Sequence, residues 1–177
     1  YNADLANDLG NLLNRTVSMG NRYLGGRLPG LVQTDVEADV ELQAAAGRAW
    51  ESYRDAMERQ HLDEGLAAMI ELVRAGNGYA ESQAPWSLAK AGETDRLGQV
   101  LAAMAETCRI LGYLVAPFTP TAAGRLHEQL GLGSHPGGPL AAAAAWGGGP
   151  DSLRLGEATP LFPRVELPDD VAVEAPS

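Results

Sequence analysis

The residues in this chain best suited to touch a ligand are a tryptophan behind a proline and an amide–guanidinium pair on a helix. Ala84-Pro85-Trp86 lies inside ESQAPWSLAK, residues 81–90. Proline fits the first helical turn, where its missing N–H would be unpaired anyway. Its ring also pushes the preceding residue out of helical geometry. The pattern predicts a helix ending near Gln83, then a corner that holds Trp86 rigid while it still faces solvent. An indole so placed is either a lid on a helical core or a stacking platform for a flat ligand such as an unstacked base, a contact worth roughly 1–3 kcal/mol per base. Near the N-terminus, Asn11 and Arg15 are four residues apart and therefore one turn apart on one helix face. They are either a hydrogen-bonded pair on a solvated surface or forked partners for the edges of a base stacked beside them.

Other chemistries lack their residues. His61, His127 and His135 are scattered over a helix start, a helix and a loop, and His61-x-x-Glu64 is a lone reversed match to the Glu-x-x-His pairs of two-metal bundles. No glycine-rich loop follows a strand, so phosphate-binding fingerprints have no context. No Ser or Cys has an identifiable His and acid beside it. The expectation is a chain with no catalytic residues, no metal ligands and no cofactor of its own. The single Cys108 excludes an internal disulfide or a multi-cysteine zinc site and fits a reducing, cytoplasmic compartment. It falls on an apolar helical stripe, as a small buried hydrophobe would. The opening YNADLAND is too polar for a signal peptide. The apolar stretch 97–118 is interrupted by Glu106 and Arg109 and contains Pro117, so no membrane span is expected.

Charge narrows the partner. A formal charge of −10 argues against a protein that grips nucleic acid by its phosphates. The acids are unevenly spread, however. Residues 35–64 carry nine acids against Arg48, Arg54 and Arg59, whereas residues 1–34 carry Arg15, Arg22 and Arg27 against Asp4 and Asp8. The first helix and the Trp86 corner could thus share a neutral-to-basic surface on an acidic body.

The elements that must position these residues are helices. Residues 3–24 place Leu5, Leu9, Leu12 or Leu13, Thr16, Met19 or Gly20, and Tyr23 on one stripe, ended by Gly25-Gly26. A second helix, 35–58, turns Val36, Val40, Ala44, Gly47, Tyr53 and Met57 inward or to its flank and its acids outward. A third starts at His61 and runs through Leu62, Leu66, Met69 or Ile70, Val73, Asn77 and Ala80; an inward Asn77 must be hydrogen-bonded. The helix over 94–115 has Leu97, Val100 or Leu101, Met104, Cys108, Leu111, and Leu114 or Val115 as its core positions. A last helix covers roughly 120–131. No strand-like alternation is evident. The fold class expected is all-α, an antiparallel bundle of about five helices over residues 1–132, with a Gly/Pro/Ala-rich loop and extended tail (133–166) packed back on it. Trp146 should rest on the side of the bundle, and the acidic end 167–177 should fray. Tyr1 reads as mid-helix, so a longer parent chain is expected.

Five stretches come in the order and spacing of one family: DLANDLGNLLNRTVSM (4–19), ESQAPWSLAK (81–90), LVAPFTPTAA (114–123), LHEQLGL (126–132) and PLFPRV (160–165). The chain resembles the C-terminal anticodon-binding domain of methionyl-tRNA synthetases, bacterial in style, from Tyr1 to about Glu166. NLLNR and QAPW are the specific pieces; helical stripes alone would also suit the anticodon bundle of a cysteinyl or isoleucyl enzyme. The resemblance implies that Asn11 and Arg15 contact the CAU anticodon of tRNA(Met), and that Trp86, shaped by Pro85, stacks on or beside its first base. Asn77 and Glu81 are implied as supporting contacts, although Glu-Ser stands here where two adjacent acids are common. It further implies a partner catalytic domain that ligates methionine to tRNA using ATP with Mg, with Zn an option in that half. The HIGH-like and KMSKS-like signatures of that half are absent from this sequence. A different class of reading is a non-catalytic helical module that binds protein partners through the acidic helix 35–58.

Overall fold

Glycine and proline punctuate this chain so strongly that most helix boundaries follow from them. The computed structural model describes residues 2–133 and 139–162, with side chains from residue 6 onward. Helix α1 (Asn2–Leu24) ends at Gly25 and Gly26, both at positive φ, and leads into the short strand β1 (Arg27–Pro29). Helices α2 (Glu37–Glu58) and α3 (Leu62–Gln83) form a hairpin, and the seven-residue α4 (Pro85–Ala91) turns the corner into α5 (Thr94–Val115). Pro120 opens α6 (Pro120–Gln129), and a single turn, α7 (Leu140–Ala143), precedes strand β2 (Ser152–Arg154). The expected all-α bundle is therefore present, with its five long helices where the sequence places them.

Helix α5 is the axis of the bundle. It is buried on nearly every side, not along one stripe, and touches α1, α2, α3, α4 and α6. A helix apolar all round belongs at a centre. Small residues let the others approach it closely. At the meeting of α1, α3 and α5, a Cβ on Gly76 would stand 2.7 Å from Leu12 Cδ2 and 3.2 Å from Thr107 Cγ2. Cys108 is fully buried there, and burial pushes its thiol up to about 12, only partly offset by the nearby Thr16 hydroxyl.

Three expectations are corrected. The inward face of α2 is Asp39, Leu42, Ala46, Ala49, Tyr53 and Ala56; Val36 and Val40 lie exposed, and one of the acids points in. The reason is polar: Asp39 has a guanidinium and a phenol waiting for it inside. Second, Leu62 is exposed at the start of α3. Third, strand structure exists. β1 and β2 pair antiparallel, Arg27 opposite Arg154 and Pro29 opposite Ser152, in strands too short to show alternation.

The tail packs back on the bundle. Leu155 and Leu161 are buried in the main core, Trp146 packs half-buried against it, and the Asn21 amide donates to Gly156 O at 2.8 Å. Gly131, at φ +78, closes α6 where any Cβ would strike Arg154 O. His135, the second half of PLFPRV (163–165) and the acidic end 167–177 lie outside the described residues. Among the described residues, no helix is long and apolar enough to cross a membrane.

The segment around Trp146 is anchored by two charges. Arg109 Nε and Nη2 donate to Glu106 Oε2 and Oε1, each at 2.7 Å, and both side chains are buried. Arg109 also donates to the carbonyls of Ala143 and Ala145, while the Gly147 N–H donates to Glu106 Oε1. The residues that interrupt the apolar stretch thus hold a loop.

Candidate functional site

The corner predicted at Ala84-Pro85-Trp86 is formed by a left-handed residue. Ala84 has φ 43 and ψ 62, caps α3 through an N–H bond to Ala80 O, and serves as the N-cap of α4. A non-glycine residue in this region costs roughly 1–2 kcal/mol, so surrounding structure must impose it. Pro85 at the first helical position is buried, and the next side chain, Trp86, is 40% exposed. The indole is therefore not a closed lid. It presents ring surface to solvent at the rim of the bundle.

Arg15 reaches this ring from α1. Its guanidinium carbon lies 5.5 Å from the centroid of Trp86, within cation–π range, and its Nη2 is ion-paired with Glu81 Oε1 at 2.8 Å. Three elements thus meet in one place: α1 supplies Arg15, α3 supplies Glu81, and α4 supplies Trp86. Glu81 is 65% exposed. A pair this open to water is worth about 0–1 kcal/mol, so Arg15 can exchange Glu81 for another acceptor at little cost. Of its five N–H donors, a single ion pair leaves most for a ligand.

Asn11 is exposed, one turn from Arg15, at the edge of a shallow groove of about 250 Å³ that α1 forms with Thr159, Pro160, Leu161 and Phe162. Asn77 is half-buried, and its Nδ2 donates to Asp8 O at 3.1 Å and to Val73 O at 3.2 Å. Both amide hydrogens are used inside the protein, so Asn77 ties α3 to α1 beneath the site. The predicted residues therefore divide. Arg15, Glu81, Pro85 and Trp86 converge, Asn11 flanks them, and Asn77 fixes the two helices that carry Arg15 and Glu81.

One cluster at this corner escapes sequence reasoning. Arg96, in the first turn of α5, donates to Asp39 Oδ2 at 2.6 Å, to Asp39 Oδ1 at 2.7 Å and to Gln83 Oε1 at 2.6 Å. The Tyr79 hydroxyl donates to Asp39 Oδ1 at 2.6 Å. Burial raises the pKa of Asp39, but the hydrogen bonds from Arg96 and Tyr79 outweigh it and hold the carboxyl below its ordinary value. Tyr79 moves the opposite way, pushed well above a free phenol by burial and by the Asp39 carboxylate. No periodicity could reveal this set, because its members belong to three helices.

Among the described residues, no three His, Cys, Asp or Glu side chains lie close enough to hold a metal ion, and neither short strand leads into a glycine-rich loop before a helix. What the corner can do is bind: an exposed ring, a forked donor, an acceptor carboxylate and a nearby amide suit a flat heterocycle with polar edges.

Comparison with known proteins bears on which heterocycle. The family model for the anticodon binding domain of methionyl tRNA ligase matches residues 29–147, a span that includes Trp86 and begins after α1. The chain is 37% identical over 176 residues to a methionine–tRNA ligase of Synechocystis, covering 94% of this chain and 33% of that relative. It is also 37% identical over 183 residues to a methionine–tRNA ligase of Lactiplantibacillus plantarum, covering 96% and 25%. Among solved structures, the apo form of Mycobacterium tuberculosis methionyl-tRNA synthetase aligns with a TM-score of 0.78 at 31% identity, covering 94% of this chain and 34% of that one. This chain thus spans a quarter to a third of the length of these curated relatives.

Proposed function

Because this chain belongs to the family of methionyl-tRNA ligase anticodon-binding domains, we propose that it reads the CAU anticodon loop of tRNA(Met) at the Trp86 corner. The observation that carries this reading is the convergence of Arg15, Glu81 and Trp86, with the indole 40% exposed and the guanidinium above it. A loop base leaves its neighbours and stacks on the Trp86 ring. Arg15 then turns part of its fork from Glu81 to the polar edge of that base, and Asn11 offers a second edge contact one turn away. Pro85 and Asn77 keep the platform and the two helices in register.

The net charge of −10 makes wide phosphate contact unfavourable, so binding by this chain is weak and selective. Ligation of methionine, with ATP and Mg and with Zn where present, belongs to a partner catalytic domain that this chain serves as reading head. The family match disfavours the cysteinyl and isoleucyl alternatives. The inward turn of Asp39 removes one charge from the acidic face on which a protein-binding role would depend.

A tryptophan-fluorescence titration at stated low salt tests the reading. Stem-loops carrying CAU and GAU are compared for wild type and Trp86→Ala. Quenching by CAU in preference to GAU that disappears in the variant, which lacks the stacking ring, is the expected result. Equal response to both loops, or tight binding indifferent to anticodon sequence, refutes it.

A further inference from the structure

Helix α4 has seven residues, far fewer than a helix needs to hold together alone in water. It buries only Pro85 completely, while Leu88 and Ala89 pack partly against the core. Where it sits, and where Trp86 points, therefore depend on its packing against α5 and α1 and on its two junctions. The entry is Ala84, in the left-handed region and costly there. The exit is Gly92, also left-handed, which leads through Glu93 into α5.

Arg96 closes this excursion. It lies just beyond the exit, in the first turn of α5, and donates to Gln83, the last residue of α3, just before the entry. The two residues are 13 apart in sequence, and everything between them is the corner. Two further hydrogen bonds hold the guanidinium to Asp39 on α2, whose carboxylate is itself fixed by the Tyr79 hydroxyl of α3. Asp39 is only 7% exposed. Three helices thus converge on one guanidinium, and its remaining contact grips the base of the corner.

We propose that Asp39, Arg96 and Gln83 form a positioning relay that fixes the α3–α4 corner and so aims the Trp86 ring at the incoming base. None of the three needs to touch the RNA. They act through Ala84: the relay stops the end of α3 from unwinding and relaxing the left-handed residue. The inference rests on the reading of Trp86 as a base platform.

The chain labelled with fluorotryptophan separates the possibilities, because Trp50, Trp86 and Trp146 give three fluorine NMR lines and Trp86→Phe assigns the one that matters. Gln83→Ala is the decisive variant, since it removes the last link of the relay and leaves the buried Asp39–Arg96–Tyr79 set intact. Arg96→Lys keeps the charge but loses the fork. In RNA-free protein, both should shift or broaden the Trp86 line while the Trp50 and Trp146 lines stay in place. Affinity for the CAU stem-loop should fall roughly fivefold in Gln83→Ala, the equivalent of one net hydrogen bond. An unmoved Trp86 line in the RNA-free Gln83→Ala protein overturns the inference whatever the RNA shows. A moved line with undiminished CAU affinity overturns it too. A wild-type Trp86 line indifferent to the CAU loop instead sinks the platform reading, which the RNA-free spectra score separately from the relay.

Discussion

Replacing Glu106 by glutamine deletes one charge from the middle of the bundle and almost no volume. In the native protein that carboxylate accepts two hydrogen bonds from Arg109 and one from the Gly147 N–H, all at 2.7 Å, with both charged side chains buried. Glutamine with its oxygen in the Oε1 place can still accept from Arg109 Nη2 and the Gly147 N–H, but its amide then faces the Arg109 Nε donor, and the Arg109 charge stays buried without a counter-ion. Removing one partner of a buried pair costs about 3–5 kcal/mol. The lower end applies, because the carbonyls of Ala143 and Ala145 continue to hold the guanidinium. At about 2–4 °C per kcal/mol for a chain of this length, Glu106→Gln should melt roughly 6–12 °C below wild type by circular dichroism at neutral pH. Trp146, beside the affected loop, should report a loosened environment at temperatures where the helical signal is still intact. The double variant Glu106→Leu/Arg109→Met removes both charges together and should recover much of the loss. If Glu106→Gln melts within a degree or two of wild type, the pair does not hold the loop and the reasoning fails.

Two further outcomes follow from buried titratable groups. Asp39 has its folded-state pKa depressed below the ordinary 3.8, so its ion pair contributes stability that is present at neutral pH and lost as acid protonates it. The stability gap between wild type and Asp39→Asn, measured by urea unfolding, should be constant from neutrality to about pH 4 and close below it; a gap that closes near neutrality contradicts the assignment. Cys108, fully buried with its thiol near 12, should react with a thiol reagent only on unfolding. Rapid labelling of native protein at pH 8 would mean that the core opens locally.

What the sequence shows well is punctuation. Gln83 ends α3 where Pro85 requires, and Thr94 and Val115 bound α5 between Gly92 and Pro117. Apolar spacing finds the stripe of α1 through Leu9, Leu12 and Leu13. Spacing misleads wherever polar groups are satisfied inside. On α2, Val36 and Val40 look like core residues, yet Asp39 takes the inward place because Arg96 and Tyr79 meet it there. Glu106 and Arg109 look like interruptions and prove to be anchors. Pairwise complementarity across distant segments carries no local signature, and the same limit hides the β1–β2 pairing. At the site, the four-residue step from Asn11 to Arg15 and the Ala-Pro-Trp corner are both visible in sequence. That Arg15 bridges Glu81 and Trp86 is visible only once α1, α3 and α4 are packed.

The pairing of β1 with β2 also sets an order of events during synthesis. Helices α2 and α3 can pair as they emerge, whereas α1 waits for α3 and α5, its main partners in the bundle. Strand β1 follows α1 immediately, yet its partner comes after almost everything else described. Until then, the Leu28 surface beside Gly20, which Leu155 later covers, stays open to water. Docking of the tail is therefore expected to be the last step in the folding of this chain, and the nascent bundle is most exposed to proteases and to self-association just before it.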